Sequence, residues 1–225
     1  MEAKPFSRTK SLHLFIDFDG TITTPDTLHY LLQRFADKGR LLLIEEKVER
    51  GEMEEREGLQ LEFDLLHITR EEALRAIDNE VTIDPYFPSF VKWCKEKGLE
   101  LTIVSGGFLS FIRRLLKRYG LDHLPIKANR VSVEGRRWKI IPSPGRKDCY
   151  KCNNCKTYEV ESARARGEVT IYIGDGITDR CPAAVADVVF AKAKLKEYCR
   201  KEKLKFYEFS NFGDIMTTLT SLLPT

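Results

Sequence analysis

LFIDFDGTIT, residues 14–23, runs several apolar residues and then sets Asp17 and Asp19 two apart, with Gly20 and Thr21 directly behind. Aspartate is disfavoured inside strands, and two carboxylates this close repel each other. A buried strand that ends at Asp17 and opens into a polar turn can hold the pair if something at the turn offsets their charge. Two more apolar runs end in polar, glycine-containing turns: TIVSGG (102–107) and IYIGDGITD (171–179). Between and after these runs come helical patterns of 10–15 residues, YFPSFVKWCKEKG (86–98), FLSFIRRLLKRYG (108–120) and KTYEVESARARG (156–167), then a short strand pattern, ADVVFA (186–191), and two last helices. Strands alternating with helices of this length predict an α/β fold, a Rossmann-like doubly wound parallel sheet covered on both faces. RVSVEGRRWKII (130–141) alternates around Glu134–Gly135 as a hairpin does.

Residues 26–79 have a different texture, helical and strongly charged, with Gly39 and Gly51 as expected breaks and a Thr69/Glu72 capping box opening the last piece. The block is too long for a crossover. It reads as a helical cap subdomain, residues 23–82, inserted into a core formed by residues 1–22 and 83–225.

Composition narrows the function classes. The chain has 225 residues, enough for one domain with a smaller insertion. Against 37 Lys+Arg stand 34 Asp+Glu, and a net charge of +3 argues against nucleic acid as the main partner. Basic runs such as RRLLKRYG are interleaved with apolar residues at helical spacing and read as wet helix faces. The first ten residues lack the apolar core of a signal peptide, and no apolar run approaches the ~20 residues of a membrane helix. A cytoplasmic protein, monomer or homodimer, without a membrane partner is expected. In a reducing compartment six cysteines point to thiols or metal.

In a doubly wound sheet ligands bind beyond the carboxyl ends of the strands, which gathers Asp17, Asp19, Ser105, Asp175 and Asp179 at one edge. Several carboxylates in one place ionise cheaply only around a cation, and Mg²⁺ held by carboxylates and a substrate phosphate suits such a set. A calcium loop is excluded for DFDG: Gly20 is fourth where such loops need glycine sixth, and the twelfth residue is Leu28.

Taken in order, DFDGTIT, VSGG, Lys156 at a helix start and GDGITD resemble the four motifs of the haloacid dehalogenase (HAD) superfamily phosphatases, over nearly the whole chain. The resemblance implies Asp17 as a nucleophile that forms an aspartyl-phosphate, and Asp19 as general acid and then base. It implies Mg²⁺ held by Asp17, the Asp19 carbonyl and Asp175, with Asp179 in support. It also implies a phosphoryl group held by Ser105, the Gly106 and Thr21 amides, and Lys156. Asp19 favours a phosphatase over the superfamily's ATPases and dehalogenases, and the partner is expected to be a small phosphorylated metabolite. Within the superfamily the likeness is to the subfamily acting on a methionine-salvage enol-phosphate, phosphoserine, or phosphoethanolamine and phosphocholine. Members that take phosphoserine grip its carboxylate with a cap arginine, and the corresponding stretch, LEFDLL (61–66), offers Glu62 instead.

Two local features stay open. Asp26 can meet a polar or cationic substrate group or simply cap the helix that follows. Cys149, Cys152 and Cys155 have the spacing of metal thiolates, and with Cys181 could form a structural zinc site; the alternatives are packing thiols and redox control.

Overall fold

The computed structural model describes residues 11–143, 146 and 153–223. Its centre is β1 (Leu12–Ile16), flanked in parallel by β4 (Glu100–Phe108) on one side and β7 (Val169–Gly174) on the other. Beyond β4 lie β5 (Ile126–Glu134) and β6 (Arg137–Ile141); beyond β7 lie β8 (Val188–Ala191) and β9 (Tyr207–Glu208). The order β6-β5-β4-β1-β7-β8-β9 is parallel except at the β5–β6 hairpin. The chain leaves β1 in one direction and later returns to its other side, so the C-terminal end of β1 is the switch point where ligands bind in such sheets.

Both faces are covered, and period-two alternation sorts the residues. Leu14, Ile16, Ile103, Ile171, Ile173 and Phe190 pack on one face against α5 (Phe87–Glu96), α6 (Leu109–Lys117) and α10 (Phe212–Leu222). Phe15, Val104, Tyr172 and Val189 point to the other, against α7 (Lys156–Ala165), α8 (Arg180–Val185) and α9 (Ala193–Lys201). Continuous apolar runs in these strands therefore reflect burial on two sides.

Between β2 (Thr23–Thr24) and β3 (Thr82–Ile83), which pair antiparallel, come α1 (Thr27–Phe35), α2 (Lys38–Glu49), α3 (Glu55–Asp64) and α4 (Arg70–Glu80). The Thr69/Glu72 capping box is present. Gly51, at φ +72°, follows the end of α2, but Gly39 lies inside that helix and breaks nothing. The break comes at Ala36–Asp37, where the Asp37 carboxylate accepts the Arg40 amide and starts α2. The helical block is fastened to the core: the Arg114 guanidinium grips the Asp78 carboxylate, Gln60 bonds both the Trp138 carbonyl and the Ile140 amide, and the Trp138 indole donates to the Ile68 carbonyl.

Among the described residues, no helix is long and apolar enough to cross a membrane.

Candidate active site

The turn after β1 is shaped around its carboxylates. Gly20 has φ +80°, and a Cβ there would stand 2.6 Å from an Asp175 oxygen. A Cβ on Gly107 would collide with the Asp19 carboxylate. Glycine at both positions lets three loops converge on one point.

At that point Asp17 is 4% exposed and Lys156, the first residue of α7, is 3% exposed. The Lys156 ammonium donates to Asp17 Oδ1 (2.5 Å), Asp179 Oδ1 (2.7 Å) and Thr178 Oγ1 (3.0 Å). Burial pulls the lysine pKa down, but the Asp17 and Asp179 charges outweigh it and hold the amine protonated. Burial and the Asp179 charge push the Asp17 carboxyl up, with Lys156 opposing.

Asp179 is satisfied on every side. Besides Lys156 it accepts from the Tyr172 hydroxyl (2.6 Å) and from the amides of Asp175 (2.9 Å) and Gly176 (2.8 Å). A buried carboxylate with four donors is an anchor that orients its neighbours. The Thr21 hydroxyl lies between Asp175 Oδ1 (2.6 Å) and Asp17 Oδ2 (3.2 Å).

Asp19 has a separate environment. It accepts from the Ser105 hydroxyl (3.0 Å) and from the Thr27 amide (3.2 Å) and hydroxyl. Burial, followed by the Asp26 charge, raises its pKa from 3.8 to about 6, against the opposing pull of these hydrogen bonds. Two carboxylates of one turn thus face unlike surroundings, as acid–base pairs require.

The glycine loop is held from beneath. Ser105 Oγ accepts the Gly107 amide (2.8 Å); Asn129 donates to the Gly106 carbonyl (2.7 Å), and Asn154 to the carbonyls of Ser105 and Lys127 (2.8 Å each). Thr27, Asn129, Asn154 and Tyr172 were not legible as site residues. A lone asparagine or a strand tyrosine has no spacing to announce it.

Asp17, Asp175 and Asp179 each offer a carboxylate oxygen within 4.8 Å of the others. This all-oxygen donor set fits a hard divalent cation. The Asp175 carboxyl is also raised, first by burial, so a cation there would relieve a cost already present. Because Asp179 is saturated with donors, Asp17 and Asp175 are the better placed ligands.

Asp26 is a helix cap that also borders the site. Its carboxylate caps α1 by accepting the His29 amide (2.8 Å), and it also lines a cavity of about 450 Å³ above the carboxylates. Glu45, Glu55 and Glu62 join it there, with Leu28, Leu32 and Leu59. Burial, then the charges of Glu45, Glu55 and Asp26, lift the Glu62 carboxyl to about 7.

Of the cysteines considered for zinc, Cys149 and Cys152 lie outside the described residues. Cys155 is buried at the N-cap of α7 and Cys181 is exposed in α8. Among the described residues neither belongs to a group of three metal-ligating atoms.

The family model for haloacid dehalogenase-like hydrolases matches residues 14–183. A 2-hydroxy-3-keto-5-methylthiopentenyl-1-phosphate phosphatase of Brevibacillus brevis is 34% identical, over 94% of this chain and 96% of its own. A polyol phosphate phosphatase of Saccharomyces cerevisiae is 30% identical, with 93% of each chain covered. Among solved structures, a phospho-aspartyl intermediate analogue of phosphoserine phosphatase superposes with a TM-score of 0.69 at 21% identity, covering 94% of this chain and 99% of that one.

Proposed function

The chain belongs to the haloacid dehalogenase-like hydrolase family, and from that premise we propose that it hydrolyses a small phosphomonoester through a phosphoryl group carried on Asp17. One observation carries the reading: Asp17, buried at the end of the central strand and paired with Lys156, sits beside a second carboxylate whose pKa is about 6.

In this reading an Asp17 oxygen attacks phosphorus as the ester oxygen leaves. Asp19 gives that oxygen its proton, then takes one from the water that opens the acyl-phosphate. A pKa near 6 suits a group that must do both near neutral pH. Lys156 and the Gly106 and Thr21 amides face the charge spread over the phosphoryl oxygens. Mg²⁺ bound by Asp17, Asp175 and the Asp19 carbonyl would add positive charge at the same oxygens. The helices α1–α4 act as the cap that shields the reaction from water.

The leaving group is read from the cavity wall. The Brevibacillus relative makes a methylthiopentenyl phosphate the first substrate to test, and Leu28, Leu32 and Leu59 offer an apolar surface for its tail. A second reading rests on Asp26, Glu45, Glu55 and Glu62: four carboxyls in one wall favour a hydroxyl-rich or cationic leaving group and repel a carboxylate such as that of phosphoserine.

The test is turnover with Mg²⁺ over p-nitrophenyl phosphate, the methylthiopentenyl phosphate, polyol phosphates, phosphocholine, phosphoethanolamine and phosphoserine. Hydrolysis of one or more, lost in excess chelator, is expected. Turnover of none of them would overturn the phosphatase reading, and a preference for phosphoserine would overturn the reading of the wall.

A further inference from the structure

A second hollow, of about 520 Å³, lies on the flank of the molecule where the helical block meets the core. Its rim carries Arg70 at the start of α4, Arg113 on α6 and Arg130 on β5. No acidic side chain is among its lining residues. None of the three guanidinium groups makes a hydrogen bond or ion pair among the described residues, although Arg114, the neighbour of Arg113 in sequence, is tied to Asp78. Ser110 lines it too, its hydroxyl turned away from solvent and without a partner among the described residues. Leu109, Val131 and Val133 supply apolar lining, and Ser132 adds a second hydroxyl.

We propose that this cleft binds an organic phosphate or phosphonate: a doubly charged head among Arg70, Arg113 and Arg130, and an apolar body over Leu109, Val131 and Val133. Three like charges around a concave wall repel one another, and one dianion relieves all three contacts. Guanidinium forks match phosphoryl oxygens in geometry as well as charge.

The position gives the ligand a consequence for the catalytic centre. Arg70 belongs to the helical block, Arg113 and Arg130 to the core, so one anion links the two across their junction. Arg130 directly follows Asn129, which holds the Gly106 carbonyl, and Ser110 lies three residues beyond Gly107. Filling the cleft stiffens the support of the phosphate loop and hinders the helical block from moving against the core.

Calorimetric titration with phenylphosphonate is the test, run on the full chain with saturating Mg²⁺. Wild type is expected to bind two equivalents, one at the catalytic centre and one in the cleft. The double variant Arg113→Glu/Arg130→Glu should bind one, and its turnover of p-nitrophenyl phosphate without added anion should match wild type. Inorganic phosphate, which leaves the apolar lining uncovered, should bind the cleft about tenfold more weakly. The same stoichiometry in wild type and double variant overturns the proposal, whatever that number is; equal affinity for phosphate and phenylphosphonate overturns the role of the apolar lining. Should the double variant fail to fold, Arg113→Gln/Arg130→Gln answers the same question, since it removes the charge without reversing it. The active-site reading stands or falls separately, on the catalytic equivalent and on turnover.

Discussion

Two charged hollows of similar size, the one above β1 at about 450 Å³ and the flank cleft at about 520 Å³, treat their charges in opposite ways. In the hollow above β1 the central carboxylates are buried and partnered within the fold: Asp179 has four donors, Asp19 three and Asp17 two. In the flank cleft three exposed arginines have no partner among the described residues. Water explains the difference. An exposed guanidinium keeps its hydration and can wait for a ligand, whereas a buried carboxylate without donors costs several kcal/mol. A site built of buried charge must be assembled by the fold itself, and changes within it should be felt far more strongly than changes at the rim of the cleft.

The largest effect is expected from Asp17→Asn. An amide cannot attack phosphorus, and enzymes supply up to ~10²¹-fold over uncatalysed monoester hydrolysis, so even slight background chemistry falls out of reach. Turnover should vanish while the circular dichroism spectrum stays that of wild type. A purified, metal-loaded variant retaining a tenth of the activity would refute Asp17 as nucleophile.

Next in size is Lys156→Met, which removes the one cation shared by Asp17 and Asp179. Breaking a buried pair on one side costs about 3–5 kcal/mol. Urea unfolding at pH 8 should show a loss of that order. The loss should shrink towards pH 5, because the stranded Asp17 carboxyl, already raised by burial, takes up a proton as the pH falls. A variant as stable as wild type at pH 8 would show that the network carries no stability.

Asp19→Asn should split substrates by leaving group. p-Nitrophenolate departs without help, but an alkoxide needs the proton that Asp19 gives, and general acids contribute about 10²–10⁴-fold. The ratio of alkyl to p-nitrophenyl phosphate turnover should therefore fall by about that factor. An equal loss of kcat/KM, which reports the leaving-group step alone, on both substrates would remove Asp19 as the acid.

How far this could be read from sequence follows the same division. The strand-end aspartates, the glycine loop and the lysine at a helix start stood out because catalysis places unusual residues where a strand pattern does not want them. The Thr69/Glu72 box was legible because both partners are local. Long-range partners were not: Asn154 bonds the Ser105 and Lys127 carbonyls, 49 and 27 residues away, and nothing in its own neighbourhood predicts it. Thr27 was hidden in another way, since next to Asp26 it reads as part of a helix cap. Gly39 misled because glycine is only a weak helix breaker, while the Asp37 cap decides where α2 starts. β9, two residues long, is too short to show any period. The flank cleft was invisible because its arginines, read singly, are helix-face and strand-surface charges, and only the packing of α4, α6 and β5 brings them together.

The smallest effect is expected at Asp26, and it is the most discriminating. Asp26→Asn keeps an acceptor for the His29 amide, so the α1 cap survives and stability should change by only a few tenths of a kcal/mol. The charge is lost, and that charge is the largest contribution after burial to the raised Asp19 pKa. Removing it lowers the Asp19 pKa below about 6. The acid form required for protonating an alkoxide then disappears at lower pH, so the alkaline limb of the rate profile for alkyl phosphates should move to lower pH. Asp26→Ala should show the same shift together with a stability loss of about 1 kcal/mol, because it removes the cap as well. Profiles of wild type and both variants that superpose would leave Asp26 as a helix cap that merely lines the cavity; a shift in both variants with a stability loss only in alanine would separate its two roles.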